Sequence, residues 1–356
     1  MKMNRQALKK RSRTKLLWLL STLLLGWSVA AGTVSASSVE EIVTALELNQ
    51  DQLRRLHKGE IVAFEVVEAT KKELAVGLSV YVAAPPEKLA AFFKQGDLAT
   101  VDPDVVTYQE ITQKSSSNPF KEFIFTSDQI DEARDLLSVS AGDEFNLSTE
   151  EIRSFAALKK NSTDWREADL IAAVSRHYQQ ILLNRLQEYR KRGLAGITPY
   201  ARERKETNPA EELHIAAQNS KLLAQFSPVL QKFWLDYPAP LPPGTEERFF
   251  WLNRRVDDRP TAILSHRILH SSDTATVIIT RQFFVGHSYN SSHLIVGCLP
   301  YRDGSIVIYT HRTSTDQVAG LGKKLKHNIG REQMKKQMMI NLNGLRSAVQ
   351  SSNLKK

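Results

Sequence analysis

Apolar positions along the chain change spacing several times. Leu16 to Ala31 is an almost unbroken apolar run. Ile42, Val43, Leu46, Leu53 and Leu56 then recur at helical intervals and predict a short helix over 39–58. Ile61 to Val67 and Leu74 to Ala83 read as two strands, with the charged stretch 68–73 as their hairpin connection. Pro85-Pro86-Glu87 opens a helix, because proline is pre-set for the first turn and an early carboxylate suits the helix dipole. Leu89, Phe92 and Phe93 form its apolar face, and Gly96 stops it. Val105 to Ile111 and Phe120 to Phe125 are further short strands, separated by a polar turn over 114–118.

From 127 to 236 the pattern is helical. Ser148 and Glu151 form a capping box, with Leu147 and Ile152 placed as a hydrophobic staple. Asp164 and Glu167 repeat the capping logic before a helix carrying Ile171, Val174, Tyr178, Ile181, Leu182 and Tyr189, which ends at Gly193. Asn208 and Pro209 start another, with 202–206 as a solvated loop between. Residues 237–244 are a proline-rich, semi-rigid connector. Beyond it the period switches to two. Strands are predicted over 249–255, 261–270, 275–285, 292–299 and 305–312, an antiparallel meander. A long helix follows over 315–349, with Val318, Leu321, Leu325, Ile329, Met334, Met338, Leu342, Leu345 and Val349 as its apolar stripe.

The 356 residues are 42% hydrophobic and 24% charged, a globular composition, with a net charge of +9. That charge changes meaning when located. Residues 1–36 hold seven of the 48 basic residues and no acid, leaving 41 basic against 39 acidic residues in the rest. Basic residues, then the 16-residue apolar run, then Val34-Ser35-Ala36 make the three-part pattern of a secretory signal, cleaved after Ala36. The run is shorter than the roughly 20 residues a membrane span needs, so an uncleaved anchor is the lesser alternative. The expectation is an exported protein, periplasmic or extracellular, and nucleic-acid binding loses its electrostatic support. A single cysteine, Cys298, excludes an intrachain disulfide and lies in an apolar run that favours burial.

An early strand into Ala83-Ala84-Pro85-Pro86-Glu87-Lys88-Leu89, late antiparallel strands and a long final helix resemble the START-like, helix-grip superfamily, over about 60–125 and 246–350. The chain also looks like a family of secreted bacterial proteins. The resemblance implies an α+β fold in which a curved antiparallel sheet grips the long C-terminal helix, here with a large helical insertion at 127–236. It implies a cavity between sheet and helix for an apolar ligand. The chain departs from the pattern in that insertion and in its export signal.

Candidate chemistry concentrates between 265 and 316. Arg281 shares a strand face with Val277, Ile279, Phe283 and Val285. A guanidinium there needs a ligand anion, an internal partner such as Asp316, or an exposed face. His287, Tyr289 and Asn290 lie in the most polar loop, which either binds a polar head group or is a self-satisfied turn. His311, Arg312 and Asp316 join the last strand to the last helix, where they suit helix capping or an anion. His266 and His270 stand four apart, about 13 Å on a strand, too far for one zinc. Gly320 to Lys324 lacks the phosphate-loop spacing. No cofactor is expected. The lysines of the last helix form a wet face or a contact with anionic lipid.

Three functional classes follow. The first is an exported binding protein for a lipid or other hydrophobic small molecule, with Arg281, His287, Tyr289, Asn290, His311, Arg312 and Asp316 at its polar end. The second is a cavity enzyme, hydrolase-like, with His287 or His311 as acid or base. The third is an envelope interaction module that docks a partner on 127–236.

Overall fold

The computed structural model describes residues 41, 44, 46–95, 102–112, 118–142, 144–162, 164–272, 275–318 and 322–351. The export signal, its cleavage point, Gly96 and most of the turn at 114–118 lie outside them. The chain is α+β, built on an antiparallel sheet with a long C-terminal helix.

Residues 41 and 44 are helical, and Asn49 caps helix α1 (Gln50–His57) with a full capping box, so the helix predicted over 39–58 is interrupted at 46–49. Strands β1 (Val62–Phe64) and β2 (Glu73–Val82) form the expected hairpin. Helix α2 (Pro86–Gln95) and strand β3 (Val105–Glu110) follow. Phe120 to Phe125 is not a strand. Its three phenylalanines are buried, but Ser175 and Gln179 satisfy its backbone. Phe125 N–H donates to Ser175 Oγ at 3.0 Å, and Gln179 Nε2 donates to Phe123 O at 2.9 Å. Side chains thus take the place of a neighbouring strand.

The helical block comprises α3 (Ile130–Leu137), α4 (Thr149–Lys159), α5 (Glu167–Arg192), α6 (Pro209–Gln218), α7 (Lys221–Phe226) and α8 (Pro228–Leu235). The Ser148–Glu151 capping box is present on α4. The second expected box is not: α5 starts at Glu167 after Arg166, with no side-chain cap. Strands β4 (Tyr200–Ala201) and β5 (Glu206–Thr207) pair where a plain loop was expected.

Strands β6 (Thr245–Val256), β7 (Arg259–Ser271), β8 (Thr276–Val285), β9 (Ser291–Tyr301) and β10 (Gly304–Ser314) form the meander. The eight-stranded order is β1-β2-β10-β9-β8-β7-β6-β3. β10 therefore returns to pair with β2, which joins the two ends of the sequence in one sheet.

Helix α9 (Lys323–Ser351) begins eight residues later than its apolar pattern suggests. Asp316–Val318 forms a separate 3-10 turn, and Gly322 adopts φ +72° just before the helix, a left-handed conformation that glycine tolerates. Met334, Met338, Leu342, Leu345 and Val349 pack on Leu74, Val76, Leu78 and Val80 of β2. Gly330 permits a close approach, since a Cβ there would stand 2.8 Å from Leu74 Cδ1. Leu325 and Ile329 do not continue the buried stripe and are 68% and 50% exposed. On the opposite face of the sheet the helical block packs. Tyr178, Leu182, Leu186 and Tyr189 of α5 share one core with Trp251, Leu264, Phe283 and Phe284.

Candidate functional site

Helix α9 borders the strands from Lys326 to Asn341 without filling the space between them. A cavity of about 800 Å³ separates them, and it is partly open to solvent. Strand register decides its chemistry, because directly paired residues share a face. Leu269, Ile278, Val296 and Tyr309 form one row across the floor. The next row is Arg267, Thr280, Leu294 and His311, and the next Ser265, Gln282, Ser292 and Thr313. The floor thus grades from apolar to polar along the strands. Leu74, Phe93 and Met338 close the apolar end. The α9 wall contributes Gln333, Gln337 and Asn341.

The charges at the polar end are mostly engaged. Arg254 Nε donates to Asp102 at 2.9 Å, and its Nη2 lies 3.4 Å from Asp104. Arg267 donates to Thr280 Oγ1 at 3.1 Å and stacks on Phe250. Tyr289 donates to Gln282 Oε1 at 2.8 Å, and burial lifts its phenol to about 12. His311 Nε2 lies 2.6 Å from Ser292 Oγ and 3.1 Å from Thr313 Oγ1. Burial, and then the nearby Arg254 charge, lower His311 to about 3. Its imidazole is neutral near pH 7 and acts as a hydrogen-bonding group.

Of the seven residues singled out from sequence, Tyr289 and His311 line this cavity. The other five are elsewhere. Arg281 and Arg312 lie on the opposite sheet face. Arg281 is buried and bonds Tyr189 Oη and the Trp234 carbonyl, with Asp316 not among its partners. Arg312 is held by Glu73 at 2.9 Å and by the carbonyls of Val67 and Asn219. His287 has both nitrogens occupied: Nε2 lies 3.0 Å from the Pro260 carbonyl and Nδ1 2.7 Å from Ser288 Oγ. Burial and then Arg259 lower it to about 4.

Asn290 and Asp316 belong to a latch between the helical block and the sheet. Asn290 donates to Glu212 at 2.9 Å and accepts from Arg202. Asp316 accepts from Lys72, Arg202 and Thr207. These five residues were drawn together by sequence proximity, whereas alternation along strands separates them. Arg254, Arg267, Gln282 and the Gln333–Gln337–Asn341 wall were not expected. The period-two pattern marked where the first three sit on strands, but not that their face borders the cavity.

Among the described residues no helix is long and apolar enough to cross a membrane. Cys298 is buried, which pushes its thiol up to about 12. No protein-family model matches the chain. No curated protein matches it in sequence.

Proposed function

We propose that the protein binds and carries a hydrophobic or amphipathic small molecule, such as a lipid, in the cavity between the sheet and α9. One observation carries this reading: about 800 Å³ with an apolar end and a polar end. Ligand sites of this size are typically concave, mainly apolar, and fixed by a few polar groups. The packing of α9 across the sheet supports a helix-grip arrangement, with the helical block on the outer face. The polar end offers Gln282, Tyr289 and His311, and Arg254 is already held by carboxylates. A ligand with neutral hydroxyl or amide groups at one end suits that lining better than one with a free charge. The basic-then-apolar N-terminus supports export, so the carrier acts in an aqueous compartment outside the cytoplasm. Exposed Leu325 and Ile329 beside Lys323, Lys324 and Lys326 support contact with an anionic bilayer during transfer.

Native mass spectrometry of the purified chain, followed by organic extraction, tests the reading. The expected result is a bound amphipathic molecule at one per chain, absent from a folded Val296→Trp variant that fills the floor. A bare chain that stays bare after exposure to a lipid mixture overturns it.

A further inference from the structure

The sheet face turned away from the cavity carries a second polar arrangement, which ligand binding does not use. Register places His266 of β7, Arg281 of β8, His293 of β9 and Arg312 of β10 in one row across it. All four side chains are buried beneath the helical block. Their hydrogen bonds fix where most protons sit. Arg281 Nη1 donates to Tyr189 Oη at 2.9 Å, and Nη2 to the Trp234 carbonyl at 3.0 Å. The Tyr189 hydroxyl, having accepted from arginine, gives its own proton to His266 Nδ1 at 2.8 Å. His266 then carries its proton on Nε2, which lies 3.0 Å from a Glu247 carboxylate oxygen but poorly aligned for a hydrogen bond.

Trp234 decides the neighbouring histidine. An indole N–H only donates, and Trp234 Nε1 lies 2.9 Å from His293 Nε2. His293 Nε2 is therefore the acceptor. Burial, with Arg281 and Arg312 beside it, keeps the His293 ring neutral, so its single proton is on Nδ1. Two N–H donors are left over: Arg281 Nε and His293 Nδ1 have no hydrogen-bond partner among the described residues. They belong to directly paired residues of adjacent strands. Both side chains also meet Trp234, whose indole donates to His293 and stacks under the Arg281 guanidinium, so the two donors lie beside one ring.

Both unmatched groups are donors, so the group that satisfies them must accept. Charge selects its kind. Arg281 is hydrogen-bonded to a hydroxyl and a carbonyl and stacks 4.2 Å from the Trp234 ring centre, none of which cancels its charge. Arg312 flanks His293 on the other side, with its own charge taken by Glu73. Glu247 reaches His266 and not Arg281, so one buried cation lacks a direct counter-ion, which favours an anion over a neutral dipole. Arg281, His293 and Trp234 are all buried, so an anion between them gives up its water, a cost that favours a small monovalent one.

We propose that a single monovalent anion of chloride size binds between Arg281 Nε and His293 Nδ1, pinning β8 and β9 to α8 independently of the ligand cavity. Two measurements on the full chain test this. Thermal unfolding at fixed ionic strength, with gluconate replaced stepwise by chloride, is expected to show a saturable rise in Tm that bromide reproduces. Arg281→Met is expected to abolish that rise. An equal Tm in gluconate and chloride overturns the proposal. Crystals of the unaltered chain grown in bromide decide the matter even if the variant does not fold. An anomalous peak touching both nitrogens is expected; density there without anomalous signal identifies water and overturns it.

Discussion

Ser292 Oγ lies 2.6 Å from His311 Nε2, whose ring lines the polar end of the cavity. A serine beside a histidine invites a hydrolytic reading, but the electrostatics oppose it. Burial and Arg254 hold His311 at about 3, so it has little driving force to take a proton from serine near pH 7. The pair is better suited to orienting a ligand. Nitrogen NMR is expected to show His311 neutral with no titration between pH 5 and 8. A midpoint near 6.5 would restore its candidacy as a general base.

Acid sensitivity follows from four buried histidines, of which burial holds His293 well below its ordinary range. His266 and His287 are lowered to about 4 and His311 to about 3, each by burial first. In the unfolded chain they take up protons near pH 6.5. Their stabilisation is present above 6.5 and is lost as pH falls toward 4. Each contributes a slope of up to about 1.4 kcal/mol per pH unit.

Glu212 has the opposite sign. Burial raises it to about 7, outweighing its bonds from Asn290 and Ser291. Between about 4.3 and 7 the folded state keeps a proton that the unfolded chain releases, so stability falls as pH rises there. The four histidines outweigh Glu212, which leaves stability rising with pH near pH 5. Urea unfolding at pH 5, 6 and 7 measures it, and Glu212→Gln is expected to steepen the dependence. A flat profile in both proteins contradicts the assignment.

The two halves of α9 are expected to respond differently to truncation. Met338 is fully buried against β2, so Met338→Ala should cost about 2–5 kcal/mol. Leu325 is 68% exposed, and Leu325→Ser should stay within about 0.5 kcal/mol. Denaturant midpoints separate these outcomes. Equal losses would mean that the first turns of α9 pack like the last.

Glu151 serves two structures at once. Its carboxylate accepts from the Ser148 N–H at 2.7 Å and pairs with buried Arg185 at 2.5 Å. Glu151→Ala removes the carboxylate half of the capping box and strands a buried guanidinium, a loss of about 3–5 kcal/mol. Replacing both Glu151 and Arg185 with leucine should cost less than Glu151→Ala alone, because no buried charge is then left unpaired. A double-variant cycle in urea reads the difference.

Much of the fold is legible in local patterns. The strand at 74–83, the proline-started helix, the meander after 244 and the Ser148–Glu151 cap each follow from spacing or from cap chemistry over a few residues. Alternation also places Arg281 with Val277 and Ile279 correctly on one face. Alternation does not say which face meets the cavity, because this sheet is covered on both sides and both faces carry apolar residues. That choice came from the pairing of β10 with β2, more than two hundred residues apart in sequence, and from where α9 lands. It sent Arg281 and Arg312 under the helical block and left His311 and Tyr289 at the cavity. Phe120 to Phe125 failed as a strand for the same reason, since its backbone partners are side chains of a distant helix. Local spacing determines the elements because the forces that form them act within a few residues. The polar end of the cavity depends on register between strands, which only the assembled sheet decides.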